Sequence, residues 1–233
     1  MKAILLTIGI GLMSAANLWA QQIIRVKGGQ NWQKSIPLEE RYRYRQFLPG
    51  KITYLKGEPA TGRLNFNILL GEMQFIDARG DTLSLANEQA IKEIQVGENA
   101  FAYDSKNGYV EIIAAHKTVK MGVKPVFKTV RGEKNGGYGQ SSGTSSITQY
   151  KSFAGSNGQL ARLEQPGDLL LEKDVIYLLI DQNNRFYKFT KASLLKIYAK
   201  YKSELEAYLK AQNPDFKKEE DLKKLLLFCA DLT

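Results

Sequence analysis

Ile91-Lys92-Glu93-Ile94-Gln95-Val96 is followed by Ala100-Phe101-Ala102-Tyr103, then by Lys106-Asn107-Gly108, then by a run from Tyr109 to Ala114. Each apolar run is too short for a stable helix and is rich in β-branched or aromatic residues, as strands are. Asn107-Gly108 supplies the positive φ that a tight hairpin turn requires. Three antiparallel strands in a meander follow from this stretch alone. The same rhythm extends in both directions. Lys51 to Lys56 alternates polar and apolar, and Gly62 to Phe66 with Glu72 to Ile76 brackets Leu69-Leu70-Gly71 as a hairpin. Arg79-Gly80-Asp81 reads as the next turn, before the alternating Thr82 to Leu85. Thr118 to Val130 forms a further strand, with Pro125 arguing for an edge or a bulge. Asp174 to Ile180 should be a buried central strand that turns at Asp181 to Asn184 and pairs with Arg185 to Phe189. A turn signal every 8–12 residues or so indicates a sandwich, a barrel or a curved sheet.

The pattern changes at Thr190. Leu194, Tyr198, Tyr201, Leu205, Tyr208 and Leu209 recur three or four apart, which marks one face of an amphipathic helix with Thr190 as its N-cap. Asn213-Pro214 stops it, and Asp215 is read as the cap of a second helix whose face holds Leu222, Leu225, Leu226 and Cys229. The fold class is therefore α+β: a mainly antiparallel β-domain over residues 41–189, then a C-terminal helical hairpin over residues 190–233. The hairpin must bury its stripe, either on the β-domain or on a partner.

Lys2, the apolar run Ala3 to Met13 and the small residues ending at Ala20 have the form of a secretory signal peptide over residues 1–20. Residues 21–40 are read as an N-terminal extension. No cysteine follows the apolar run, so the expectation is an exported protein, periplasmic or outer-membrane-associated, that is not a lipoprotein. The chain has 33 basic and 24 acidic residues, and loss of Lys2 leaves a net charge of about +8. The single cysteine, Cys229, excludes an internal disulfide; with Leu225 to Phe228 before it, it reads as a small buried hydrophobe.

Several motif matches dissolve on physical grounds. Gly139-Gln140-Ser141-Ser142-Gly143 fits G-x-S-x-G, but it lies in a Gly/Ser-rich loop, residues 132–158, without the buried strand and helix that such a nucleophile needs. The one histidine, His116, precedes Ser141, the reverse of that family's order. Ser193-Leu194-Leu195-Lys196 fits S-x-x-K without its companion motifs. One histidine and one cysteine cannot form a His/Cys zinc site, and nothing calls for a metal or another cofactor. Arg79-Gly80-Asp81 spells an adhesive tripeptide but equally an ordinary turn.

The basic residues are more informative. Arg41-Tyr42-Arg43-Tyr44-Arg45, if extended, puts three arginines on one face and two tyrosines on the other. Lys117, Lys120, Lys124, Lys128 and Arg131 form a second basic stretch. Such clusters attract phosphates, acidic sugars or anionic headgroups in a salt-sensitive way. Tyr42, Tyr44, Tyr198 and Tyr201 are the expected contacts to a partner or ligand.

The stretch from Leu64 to Phe75 with Gly80 to Leu83, the stretch from Tyr138 to Ile147, and the tail from Phe189 to Cys229 are similar to uncharacterised exported proteins of Bacteroidota-type bacteria. That resemblance implies an envelope location and a β-domain with a helical tail; it implies no active-site residue. In architecture alone the chain also resembles outer-membrane lipoprotein carriers, whose curved sheet encloses an acyl chain. The reading reached from the sequence is a non-catalytic exported protein that binds an envelope protein, or an anionic lipid or glycan, through a basic and aromatic face. No nucleic-acid partner is expected, and peripheral membrane contact is compatible with the charge. A lipid or glycolipid carrier is the alternative, and a serine hydrolase using Ser141 comes third.

Overall fold

The computed structural model describes residues 23–27, 35–117, 119–132 and 169–232. The expected signal peptide and Ser141 lie outside those residues. The described chain forms β1 (Ile23–Val26), α1 (Leu38–Arg41), β2 (Leu48–Tyr54), β3 (Ala60–Asn67), β4 (Glu72–Ile76) and β5 (Thr82–Ser84). Then come β6 (Ile91–Val96), β7 (Asn99–Asp104), β8 (Gly108–His116), β9 (Val119–Gly132), β10 (Leu169–Ile180) and β11 (Phe186–Lys188). The helices α2 (Lys191–Ile197), α3 (Lys202–Gln212) and α4 (Glu219–Asp231) close the chain.

All described strands belong to one antiparallel sheet in the order β1-β10-β9-β8-β7-β6-β2-β3-β4-β5, with β11 also on β10. The sheet is curved and does not close into a barrel. β10 is buried only in part, against the expectation for Asp174 to Ile180: β9 flanks its whole length, but β1 pairs only with its start and β11 only with Leu178 to Ile180, so Asp174 to Tyr177 have one neighbouring strand and are half-buried. Register shifts at Ile112/Ala114 and Leu170/Leu171 mark bulges, which bend strands and raise their twist. The β8 ladder on β9 ends at Val123, so Pro125 has β10 as its partner and no β8 residue opposite. Beyond that point β9, β10 and β1 form an arm that folds back. Phe127, Leu171, Ile24 and Val26 from this arm share a core with Leu64, Phe66, Met73, Ile94 and Phe101 from the other half of the sheet.

The N-terminal extension is part of this fold. Ile24 and Val26 alternate inward from β1, and Ile36 is fully buried in the same core. Asn107-Gly108 makes the expected turn, with Gly108 at φ 70° and the Asp104 carboxylate accepting from the Asn107 backbone N–H at 2.8 Å. Arg79-Gly80-Asp81 is also a turn. Asp77 Oδ1 accepts from the N–H groups of Arg79 and Asp81, and Gly80 holds φ 90°.

The helical tail packs on the β-domain. Leu194, Leu205, Leu209, Leu222, Leu225, Leu226 and Cys229 form a second core with Val119, Met121 and Leu179. Burial of each such side chain contributes about 1.5–3 kcal/mol. Two details differ from the expected hairpin. The first helix breaks at Tyr198 into α2, a 3-10 turn at Ala199–Tyr201, and α3. Asp215 accepts from the Lys217 backbone N–H at 2.9 Å in a local turn, and α4 begins four residues later with Lys218 at its cap. Thr190 does cap α2, accepting from the Ser193 N–H at 3.2 Å.

Two consequences are measurable. A Cβ at Gly50 would lie 2.5 Å from the Gln95 carbonyl oxygen and 2.6 Å from Leu64 Cδ1, whereas one at Gly62 would meet nothing within 4 Å. Gly50→Ala is expected to destabilise by about 1–3 kcal/mol in urea unfolding, and Gly62→Ala by less than about 1 kcal/mol. Burial pushes the Cys229 thiol up to about 12 from its ordinary 9.0. At pH 8 the folded protein should therefore resist iodoacetamide while the urea-unfolded protein is alkylated; equal rates would contradict the packing of α4.

Candidate functional site

The segment from Arg41 to Arg45 is not an extended ribbon with an arginine face. Arg41 ends α1, and the chain then lies along the part of β3 that β2 leaves unpaired, through a bridge between Tyr42 and Asn67. The buried Asn65 fastens it: Asn65 Oδ1 accepts from the Tyr44 N–H, and its Nδ2 donates to the carbonyls of Tyr44 and Gln46. Each side chain then finds its own partner. Arg41 Nε donates to the Ile36 carbonyl at 2.7 Å, and the Tyr42 hydroxyl donates to Gln74 Oε1 at 2.8 Å. Arg43 donates to both carboxylate oxygens of Glu111, at 2.7 and 3.3 Å, and the Tyr44 hydroxyl reaches the same carboxylate at 3.4 Å. Burial works against the Arg43 charge, yet the Glu111 hydrogen bond and charge outweigh it and raise the guanidinium's pKa. Burial, then Glu111, raises the Tyr44 phenol. Of the five residues expected to meet a partner, only Arg45 is fully exposed.

The second basic stretch divides in the same way. Lys120, Lys124 and Lys128 share one face of β9, opposite the face that carries Val119, Met121 and Phe127 into the cores. Lys124 is buried, and its ammonium donates to the Asn107 carbonyl. Burial lowers its pKa, with Asp104 acting in the opposite direction. Lys128 is in an ion pair with Asp174, one step diagonal across the β9–β10 ladder. Lys117, in the β8–β9 turn, and Lys120 are exposed. Arg131 pairs with Leu170 through the β9–β10 ladder. Tyr198 is a core residue, buried with Leu194 and Cys229, and Tyr201 packs half-buried against the same cluster. They serve the helix–sheet interface, because the stripe that made them conspicuous is the stripe that packs.

The exposed Lys117 and Lys120 lie at one end of the sheet, beside five further exposed cations. Lys120 is in register with Ile180, and Ile180 with Phe186, so the β8–β9 turn and the β10–β11 turn are neighbours. Arg185 precedes β11, Lys188 ends it, Lys191 opens α2, and Lys196 and Lys200 follow; all five are exposed. Lys196 Nζ lies 5.5 Å from the centre of the Tyr187 ring, which brings α2 against β11. Among the described residues, none of Lys117, Lys120, Arg185, Lys188, Lys191, Lys196 and Lys200 forms an ion pair. The nearby Asp181 carboxylate is occupied by its own turn, accepting from the N–H groups of Asn183 and Arg185 and from the Tyr187 hydroxyl. The sequence signal for this surface was available: residues 182–203 hold six basic residues and no acid. The run makes no single-element pattern, because it is divided between a strand and a helix, each with ordinary spacing.

The other motif residues have local partners. Ser193 Oγ is 3.0 Å from Thr190 Oγ1, in the first turn of α2, while Lys196 turns to Tyr187. His116 is half-buried at the end of β8. Among the described residues no group of three His, Cys, Asp or Glu side chains is placed to hold a metal ion, and no helix is long and apolar enough to cross a membrane. No family model, curated protein or solved structure matches this chain.

Removal of one member of a buried ion pair leaves the other uncompensated. Glu111→Gln is therefore expected to lower stability by about 3 kcal/mol in urea unfolding, and Arg43→Met with Glu111→Leu to recover much of that loss. A single-variant loss below about 1 kcal/mol would show that the pair carries no tie across the sheet.

Proposed function

We propose that this protein is a non-catalytic exported protein of the bacterial envelope, and that it binds an anionic envelope partner through the basic surface around β11. The observation that carries this reading is the contrast between two sets of cations. Arg43, Lys128 and Lys173 are matched by Glu111, Asp174 and Glu40, whereas the seven exposed cations from Lys117 to Lys200 have no such match among the described residues. Unmatched charge of one sign raises the local potential and draws counter-ions or polyanions to it. The signal-like residues 1–20 support the envelope location.

The carrier alternative has less support. It required a greasy ligand enclosed between the strands and the Leu/Tyr stripe of the helices, but that stripe packs directly on Val119, Met121 and Leu179.

Retention of the mature protein on a heparin column tests the reading. Lys120→Gln, Arg185→Gln, Lys188→Gln and Lys191→Gln together should elute at markedly lower salt than wild type. The same charge removed from exposed Lys51, Lys56, Lys92 and Lys106 should shift elution much less. Equal shifts for the two sets would leave net charge as the only cause and refute a localised site.

A further inference from the structure

We infer that the partner of this surface is a flexible acidic polysaccharide that crosses the edge of the sheet at β11. This rests on the reading above and gives its partner a chemical class. Residues directly opposite each other in a ladder share a face, and the register divides the cations between two faces. Lys120 is opposite Ile180 and Lys188 is opposite Leu178, so both lysines project on the face where Phe186 packs with Leu178 and Ile180. Tyr187 is opposite Leu179, which packs with the helical tail on the other face. Lys196 belongs to that second face, with its Nζ 5.5 Å from the centre of the Tyr187 ring. Among the described strands β11 pairs only with β10, so its free edge is the border between the two sets.

That division selects among anionic partners. A bilayer presents one plane and engages the cations of one face. A single phosphate can be shared by Lys120 and Lys188, whose Cα atoms are roughly 12 Å apart, but it leaves the cations of the helix side unmatched. Single-stranded nucleic acid adds bases stacked on open rings, and here the rings are used by the fold: Phe186 packs on Leu178 and Ile180, and Tyr187 and Tyr201 pack on the helical core. A linear chain with a carboxylate on successive sugars bends around an edge and meets the cations of both faces in turn. The kind of cation agrees with this. Six of the seven are lysines, flexible and strongly hydrated point charges that attract many anionic groups, without the fixed fork with which arginine holds one. Residues 182–203 hold no acid to repel such a chain, and the Asp181 carboxylate is engaged in its own turn.

Fluorescence anisotropy with labelled oligogalacturonates of two and of twelve sugars, at constant ionic strength, tests the inference. The mature protein is expected to bind the longer chain roughly 100-fold more tightly, because contacts made along one chain reinforce each other. Lys120→Gln with Lys188→Gln removes cations of one face, and Lys196→Gln with Lys200→Gln removes cations of the helix side. Each pair should lower affinity for the longer chain about five-fold. Lys51→Gln with Lys92→Gln, equal in charge, should leave it nearly unchanged. An effect from only one of the first two pairs would confine binding to one face and overturn a chain that crosses the edge. Equal affinity for short and long chains, with localised retention on heparin intact, would overturn the polysaccharide while the anion-binding reading stands; absence of that retention would overturn both. Single-stranded DNA of equal charge bound as tightly as the longer chain would overturn the sugar assignment.

Discussion

The Glu111 carboxylate is the constraint around which this structure is arranged. It projects from β8 with a side chain only 2% exposed, where an unpaired charge would be strongly destabilising. Arg43 compensates it from the segment that runs beside β3, four strands away in the sheet order. Such a contact exists only if the sheet is curved, so that its two halves approach each other across a shared core. Phe66 and Tyr109 pack close by, with ring centres 6.1 Å apart, and α4 brings Glu219 into the field felt by Arg43. The pair therefore sits where the β-core and the helical tail meet, and holds the curvature that gives the sheet an inside. Its own net contribution need not be large; what it enforces is that neither partner can leave alone.

The same logic divides the cations of the chain. Where β9 is flanked by acidic residues of β10 or by the carbonyl of Asn107, its lysines are absorbed into the fold. Past Lys120 toward the turn, and from Arg185 through α2, no acid is available in the chain, and the charges stay outward. Lysines on a short edge strand also discourage edge-to-edge pairing of sheets, so Lys188 on β11 guards that edge as well as charging it. Both effects come from one placement, and only the pattern beyond the edge, along α2, asks for a partner.

Much of the architecture could be read from residue alternation and turn chemistry. The hairpin around Leu69-Leu70-Gly71, the Asn107-Gly108 turn, the pairing of Leu178 to Ile180 with β11 and the cap at Thr190 are all local, so local signals suffice. The break at Tyr198 was invisible for a physical reason: a 3-10 turn keeps residues three apart in line, so Leu194, Tyr198, Tyr201 and Leu205 remain one stripe through it. The fate of Arg41 to Arg45 was equally hidden. Asn65 and Asn67 look like solvent-facing members of an alternating strand, yet they are buried and hold that segment and its neighbours by hydrogen bonds. Long-range partners such as Glu111, 68 residues from Arg43, leave no spacing signature at all. The basic surface lay between these extremes, present as an acid-free run but assembled only by the register of β9, β10 and β11.

Hydrogen exchange of the mature protein, free and bound to heparin, is the most direct test of the assignment of this surface. The account predicts added protection in the β8–β9 turn, β11 and α2, with α3, α4 and the segment beside β3 unchanged. Protection centred on α3 and α4, or spread evenly over the chain, would contradict it.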